Sequence, residues 1–288
     1  MSDTKRFFKA LFKRKIVAVA LVVIIFFLLC AVASPLIATH DPYEQDLFNI
    51  LKGPSAEHWL GTDNLGRDVY SRIIYGSRIA FTVGIFAVII SGVLGTALGL
   101  AAGYFGGWVD SVISRLVEAM MAIPPIVLAL ALVAIFGRSL PMLTVVMGVS
   151  SVPAFARMMR GQVLTVRDLD YVAASRIRGN SNFVTMVKHI LPNCLSPMII
   201  VMTQSIGGTI LAEAGLSFLG AGVLPPAASW GAMVSDGYTH LSRCPSFART
   251  RRSAMASAFL PSRTRTSARQ QMVSAFCRSS FASAIASS

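Results

Sequence analysis

Charge is what this sequence has least of. Of its 288 residues, 14% are charged and 54% are hydrophobic, where a soluble domain carries about 25% charged residues. A soluble fold of ordinary composition is therefore excluded. The mean hydropathy of +0.64 points to several membrane crossings, each needing about 20 mostly apolar residues. Paired cysteines are missing too. Cys30, Cys194, Cys244 and Cys277 are scattered with no C-x-x-C among them, which argues against a disulfide framework or a cysteine metal site and for small buried hydrophobes. The histidines His40, His58, His189 and His240 share no ligand spacing, so neither a metal nor a cofactor is expected. No G-x-x-x-x-G-K-[ST] loop occurs. The chain therefore has no phosphate cradle of that kind, and no catalytic residue stands out. One charge sign is in excess, at +13. Much of it sits beside apolar runs, where membrane topology accounts for it; nucleic acid is not expected as a partner, and membrane lipid is.

Residues 1–15 hold Lys5, Arg6, Lys9, Lys13, Arg14 and Lys15 against Asp3, and an uncharged run follows to Ala38. This run exceeds the apolar core of a signal peptide. It reads as an uncleaved first helix, with a cytoplasmic N-terminus, over 1–38. Residues 39–77 read as a polar external segment rich in turn formers. It includes His58-Trp59-Leu60-Gly61-Thr62-Asp63-Asn64-Leu65-Gly66-Arg67-Asp68, in which Asp63, Arg67 and Asp68 are placed to pair with one another. Helix 2 is expected over Ile79–Tyr104, with Gly95, Gly99 and Gly103 on one face for close packing within the chain. Gly106-Gly107 is a tight turn. Helix 3 is expected over Val109–Phe136, kinked at Pro124-Pro125, a break tolerated in membranes beside a cavity. Arg115 and Glu118 are spaced to pair. Helix 4 is expected over Met142–Ala156, returning inside at Arg157. Helix 5 is expected over Leu195–Leu211, followed by Glu213. An acid at the end of a span is a functional candidate, so Glu213, Pro124 and Pro125 are candidates for a translocation path. A structural role for Glu213, bonding to backbone in the turn that follows, is an equal alternative.

Between helices 4 and 5 lies a polar island, Gln162–Pro192. Arg167, Arg176, Arg178 and Lys188 mark it as cytoplasmic. Asp168 and Asp170 suit a helix start, and Gly179 a left-handed helix end. The pattern Asp170-Tyr171-Val172-Ala173-Ala174-Ser175-Arg176, then Gly179, then His189-Ile190-Leu191-Pro192 resembles the coupling loop of binding-protein-dependent ABC importer permeases. The strings around Asp63–Arg72 and Glu213–Gly220 resemble the dipeptide, oligopeptide and nickel branch of that family. The resemblance covers residues 1 to about 240. It departs at Ala173, where the family has Glu.

The resemblance implies an all-α, polytopic transmembrane bundle of six spans. Five are expected here, with the permease core over 78–240. It also implies a non-enzymatic permease subunit in a bacterial inner membrane that moves di- or oligopeptides. The implied partners are a second permease subunit, two ATP-binding subunits and an external substrate-binding protein. The coupling residues would be Asp170, Tyr171, Ala173, Ala174, Arg176, Gly179, His189 and Pro192. A nickel or small-solute permease, an ATPase-independent carrier and an inactive truncated permease are the alternatives. A carrier would want a relay of ionisable residues at mid-span, and the apolar runs hold almost none.

Residues 241–288 break the pattern. Arg243, Arg249, Arg251, Arg252, Arg263, Arg265, Arg269 and Arg278 occur there with neither Lys nor acid, among Ser and Ala. A sixth apolar span is absent from this stretch. It reads either as a basic disordered tail or, by preference, as an out-of-frame translation.

Overall fold

A computed structural model of the chain describes residues 15–243, and their side chains from residue 19 to 240. The atypical tail past Arg243 and the basic cluster before Lys15 lie outside the described residues. The chain divides into two compact units, 1–236 and 237–288. Of the second, the described part is the end of one helix.

Every long element among the described residues is a helix: α1 Lys15–Val32, α2 Val69–Phe105, α3 Gly107–Met121, α4 Pro125–Phe136, α5 Leu140–Val166, α6 Asp170–Ile177, α7 Leu191–Phe218 and α8 Trp230–Arg243. Among the described residues, three helical stretches are long and apolar enough to cross a membrane: Val69–Phe105, Leu140–Val166 and Asn182–Phe218. A fourth span results if α3 and α4 count as one, although they bend by 89°. The expected count of five additionally requires α1, whose apolar stretch Val19–Val32 is shorter.

α2 is the axis of the first unit. Asp68 caps it, its carboxylate accepting from Ser71 N–H at 2.8 Å. It ends at Gly106, where φ is +62°, a conformation glycine adopts without a Cβ penalty. The helix starts ten residues before the expected Ile79, because the polar string to Arg72 includes its cap and first turn. α5 packs along α2 through the glycine stripe. A Cβ on Gly99 would meet Met159 Cβ at 2.7 Å, and one on Gly103 would meet Val163 Cβ at 2.7 Å. The stripe therefore serves packing within the chain.

Two apolar clusters fill the bundle. One gathers Val83, Ala129, Val133, Leu143, Val146 and Leu216. The other gathers Leu100, Tyr104, Met159, Val163, Val172, Ile190, Cys194 and Met198 toward the C-terminal end of α2. Outward-facing apolar side chains such as Val93, Leu211 and Ile200 are exposed, as suits helices bathed in lipid.

Three further sequence expectations need correction. The Pro124-Pro125 pair does not kink one helix; it separates α3 from α4, with Pro124 as the N-cap and Pro125 as the first residue of α4. α5 does not stop at Ala156 but runs through Pro153 to Val166. Arg160 on that extension forks onto Asp110 of α3, with Nη2 2.6 Å from Oδ2, so the charge is met by an acid in a half-buried contact between the two helices. α7 continues past Leu211 to Phe218, which places Glu213 within a helix.

Candidate functional site

The middle of the island, 170–179, folds as the sequence implies, but its ends do not. Residues 162–166 belong to α5, and 182–190 run on into α7, which begins at Leu191 and not at the expected Leu195. Asp170–Ile177 forms α6, and Gly179 ends it at φ +78°. Ser181 caps a short turn, accepting from Val184 N–H at 3.3 Å. Thr185–Ile190 then forms a wider π-type turn that runs into α7, with Pro192 in the first turn of α7.

One face of this knuckle is anchored. Val172 and Ile190 are fully buried in the cluster with Tyr104 and Met159. Ser175 Oγ lies 3.2 Å from Thr185 Oγ1, and Asn180 Nδ2 donates to Ser175 Oγ at 3.0 Å. Tyr104 at the end of α2 donates to Asn182 Oδ1 at 2.9 Å, and Arg176 lies over the Tyr104 ring at 5.1 Å. Arg167 Nη1 donates to the Gly103 carbonyl at 2.9 Å. The other face is bare. Asp170, Tyr171, Ala173, Ala174, Gly179 and Pro192 are exposed, and His189 is half-buried; Arg176 is exposed too, but on the anchored side beside Tyr104. Beside them Ile177 is 87% and Phe183 69% exposed. Ala173, where the resembled family has Glu, points outward on this bare face.

Near the other end of α2 is a cleft of about 340 Å³. It is lined by Asn64, Arg67 and Arg72, by Arg138 before α5, by the 220–227 segment, and by Ser217 and Asp236. Arg67 Nε donates to Asp63 at 2.7 Å, so that expected pair forms. Arg72 Nη1 donates to the Pro42 carbonyl at 3.1 Å. Its Nε, 3.4 Å from Asp63 Oδ2, lacks hydrogen-bond geometry. Asn64 Oδ1 is buried without a hydrogen-bond partner among the described residues. Sequence reading missed this cleft. Arg72, Arg138 and Ser217 are far apart in the chain, and nothing in their local patterns joins them.

Glu213 is 1% exposed. It accepts from Ser217 Oγ at 2.7 Å and from Ser229 Oγ at 3.1 Å. Its bonds run to side chains, not to backbone as the structural alternative held. It does not line the cleft, but Ser217 does, so Glu213 stands one residue behind the cleft wall. Pro124 and Pro125 are exposed and away from it. Arg115 and Glu118 meet at 3.4 Å on an exposed surface.

Asp68 turns from the expected partners to another. Burial pushes its carboxyl up. The Ser71 hydroxyl and N–H and the His58 ring outweigh this and hold it below the usual carboxylate range. His58 and His40, without ligand spacing in the sequence, stack at 4.7 Å between ring centroids.

These features match a known family. Residues 95–261 match the model described as the binding-protein-dependent transport system inner membrane component. The chain belongs to this family. Residues 2–54 match the N-terminal transmembrane domain of oligopeptide transport permease C. A dipeptide transport system permease protein of Alkalihalophilus pseudofirmus is 42% identical over 245 residues, covering 85% of this chain and 81% of that one. A glutathione transport system permease protein of Pectobacterium atrosepticum is 41% identical, covering 70% and 67%. A probable D,D-dipeptide transport system permease protein of Escherichia coli is 41% identical, covering 76% and 74%. The chain is thus a helical membrane permease of the ABC transporter class.

Proposed function

We propose that this permease passes small peptides through a bacterial inner membrane as one of two pore-forming subunits. Two separate ATP-binding subunits drive it, and an external binding protein delivers the substrate. The observation that carries this reading is the two-faced knuckle at 170–190. Its inner face is locked into the bundle, while Ile177 and Phe183 present apolar surface to water. Exposed apolar surface on a rigid element suits a docking partner. Load applied there reaches α2, α5 and α7 through Val172, Ile190 and Tyr104.

The second subunit is supported by α7. Thr203, Gln204, Gly207 and Gly208 are exposed at mid-helix. They share one face, and polar and small residues in a span suit another helix or a pathway better than lipid. Peptides are supported by the named relatives and by the arginine-bearing cleft, whose cations suit a peptide carboxylate.

Co-purification in mild detergent tests the drive. The parent retains its ATP-binding subunits, and Ile177→Asp with Phe183→Asp releases them without loss of the permease from membranes. Retention by that double variant rejects the knuckle as the docking surface.

The tail 241–288, outside the described residues, is proposed to be an out-of-frame product, and the transport proposed above is that of the permease with its sixth span in frame. Reading the gene in the other frames from codon 241 should reveal an apolar run of about 20 residues. Its absence from both frames makes the basic tail genuine.

A further inference from the structure

The segment before α2 holds a side-chain cluster that the transport reading leaves unused. His40, Glu57 and His58 each offer one ligand atom, and these atoms all lie within 4.8 Å of one another. Both rings are held from behind. His58 Nδ1 lies 3.1 Å from Asp68 Oδ1. Asp68 is 2% exposed and is itself fixed by the Ser71 N–H at 2.8 Å. His40 Nδ1 lies 3.1 Å from Thr39 Oγ1, and the His40 N–H donates to Ser71 Oγ at 3.1 Å. With Nδ1 engaged on each ring, Nε2 is left to bind. A carboxylate behind a histidine orients the ring and raises its basicity toward a metal.

We propose that His40, Glu57 and His58 form a binding site for one divalent transition-metal ion of the zinc class. Two imidazoles and a carboxylate are a borderline donor set. It suits Zn²⁺ and disfavours Mg²⁺ and Ca²⁺, which take oxygen ligands. Bonds of about 2.0–2.2 Å hold two ligand atoms at most about 4.4 Å apart. Binding therefore draws the three groups slightly inward, and Glu57, the exposed member, has room to move. A fourth position stays open to water. The ion would tie residues 39–40 to residues 57–58 and, through Asp68 and Ser71, to the first turn of α2. This proposal does not depend on which solute the permease carries.

The test uses tag-free, full-length protein in detergent, stripped with a chelator and titrated with Zn²⁺ against a chromophoric indicator. One zinc per chain is expected at this site, not displaced by excess Mg²⁺. His40→Ala and Glu57→Gln each weaken it by roughly tenfold or more. Neither variant touches the His58–Asp68 bond, and Glu57 is on the surface, so the fold is kept; unchanged melting of the metal-free variants verifies this. X-ray absorption should show two imidazoles around the zinc, and one in His40→Ala. If the parent takes up no zinc at micromolar concentration, the proposal fails. It fails equally if the isotherm and the zinc neighbours are unchanged in His40→Ala, because uptake then belongs to other residues.

Discussion

Single side chains set several local outcomes. Glu213 joins α7 to the segment before α8 by accepting from two buried hydroxyls. Glu213→Ala leaves both donors without their acceptor, at about 1–3 kcal/mol for each unsatisfied group. Glu213→Gln keeps an acceptor oxygen and should cost roughly 1 kcal/mol or less. Thermal unfolding in detergent separates them. If Gln is as damaging as Ala, the charge itself matters and the hydrogen-bond account is insufficient. Glycines make a second contrast. Gly99 faces Met159 and the α5 backbone, while a Cβ on Gly161 meets nothing within 4 Å. Gly99→Val should force α2 from α5 at about 1–3 kcal/mol. Gly161→Ala should stabilise α5 by about 0.5–1 kcal/mol. The same melting experiment reads both, and a destabilised Gly161→Ala would mean that α5 relies on a backbone approach the structure does not contain.

Elements were legible where their signals are local. The basic, acid-started, glycine-ended string at 170–179 announces α6 and its stop, because cap, dipole and left-handed glycine act within a few residues. The end of α5 was not legible. Arg157 and Arg160 look like a membrane boundary, and only the fold shows Asp110 of α3 opposite Arg160. That pair is bidentate, so it depends on the planar fork of guanidinium. Arg160→Lys keeps the charge but loses the fork, and should lower stability by about 1 kcal/mol or more. Asp110→Asn should add little further in the double variant, since the two act as a unit. Full additivity of the two losses in melting measurements would mean that the pair does not hold α3 to α5. The arginine cleft and the histidine cluster were illegible for a related reason. Each is assembled from segments whose neighbours in sequence carry no hint of one another.

At the scale of the molecule, α2 decides which surfaces share a side of the membrane. Its N-terminal cap, Asp68, holds His58 and the segment from residue 39, while its C-terminal Tyr104 holds Asn182 of the knuckle. The helix between has 37 residues, or about 55 Å at about 1.5 Å per residue. A hydrocarbon core is about 30 Å thick. Both ends therefore emerge, and they emerge on opposite sides. Under the proposed reading the arginines and lysine of the knuckle put it in the cytoplasm, and the histidine cluster and the arginine cleft then face outward, toward the proposed binding protein. In sealed right-side-out vesicles, a membrane-impermeant amine reagent should modify Lys52, exposed on the segment before α2, and spare Lys188 until the vesicles are opened. Inverted vesicles should reverse the order. Modification of both lysines from one side would break the link between the knuckle and the cytoplasm, and the proposed docking of ATP-binding subunits would fall with it.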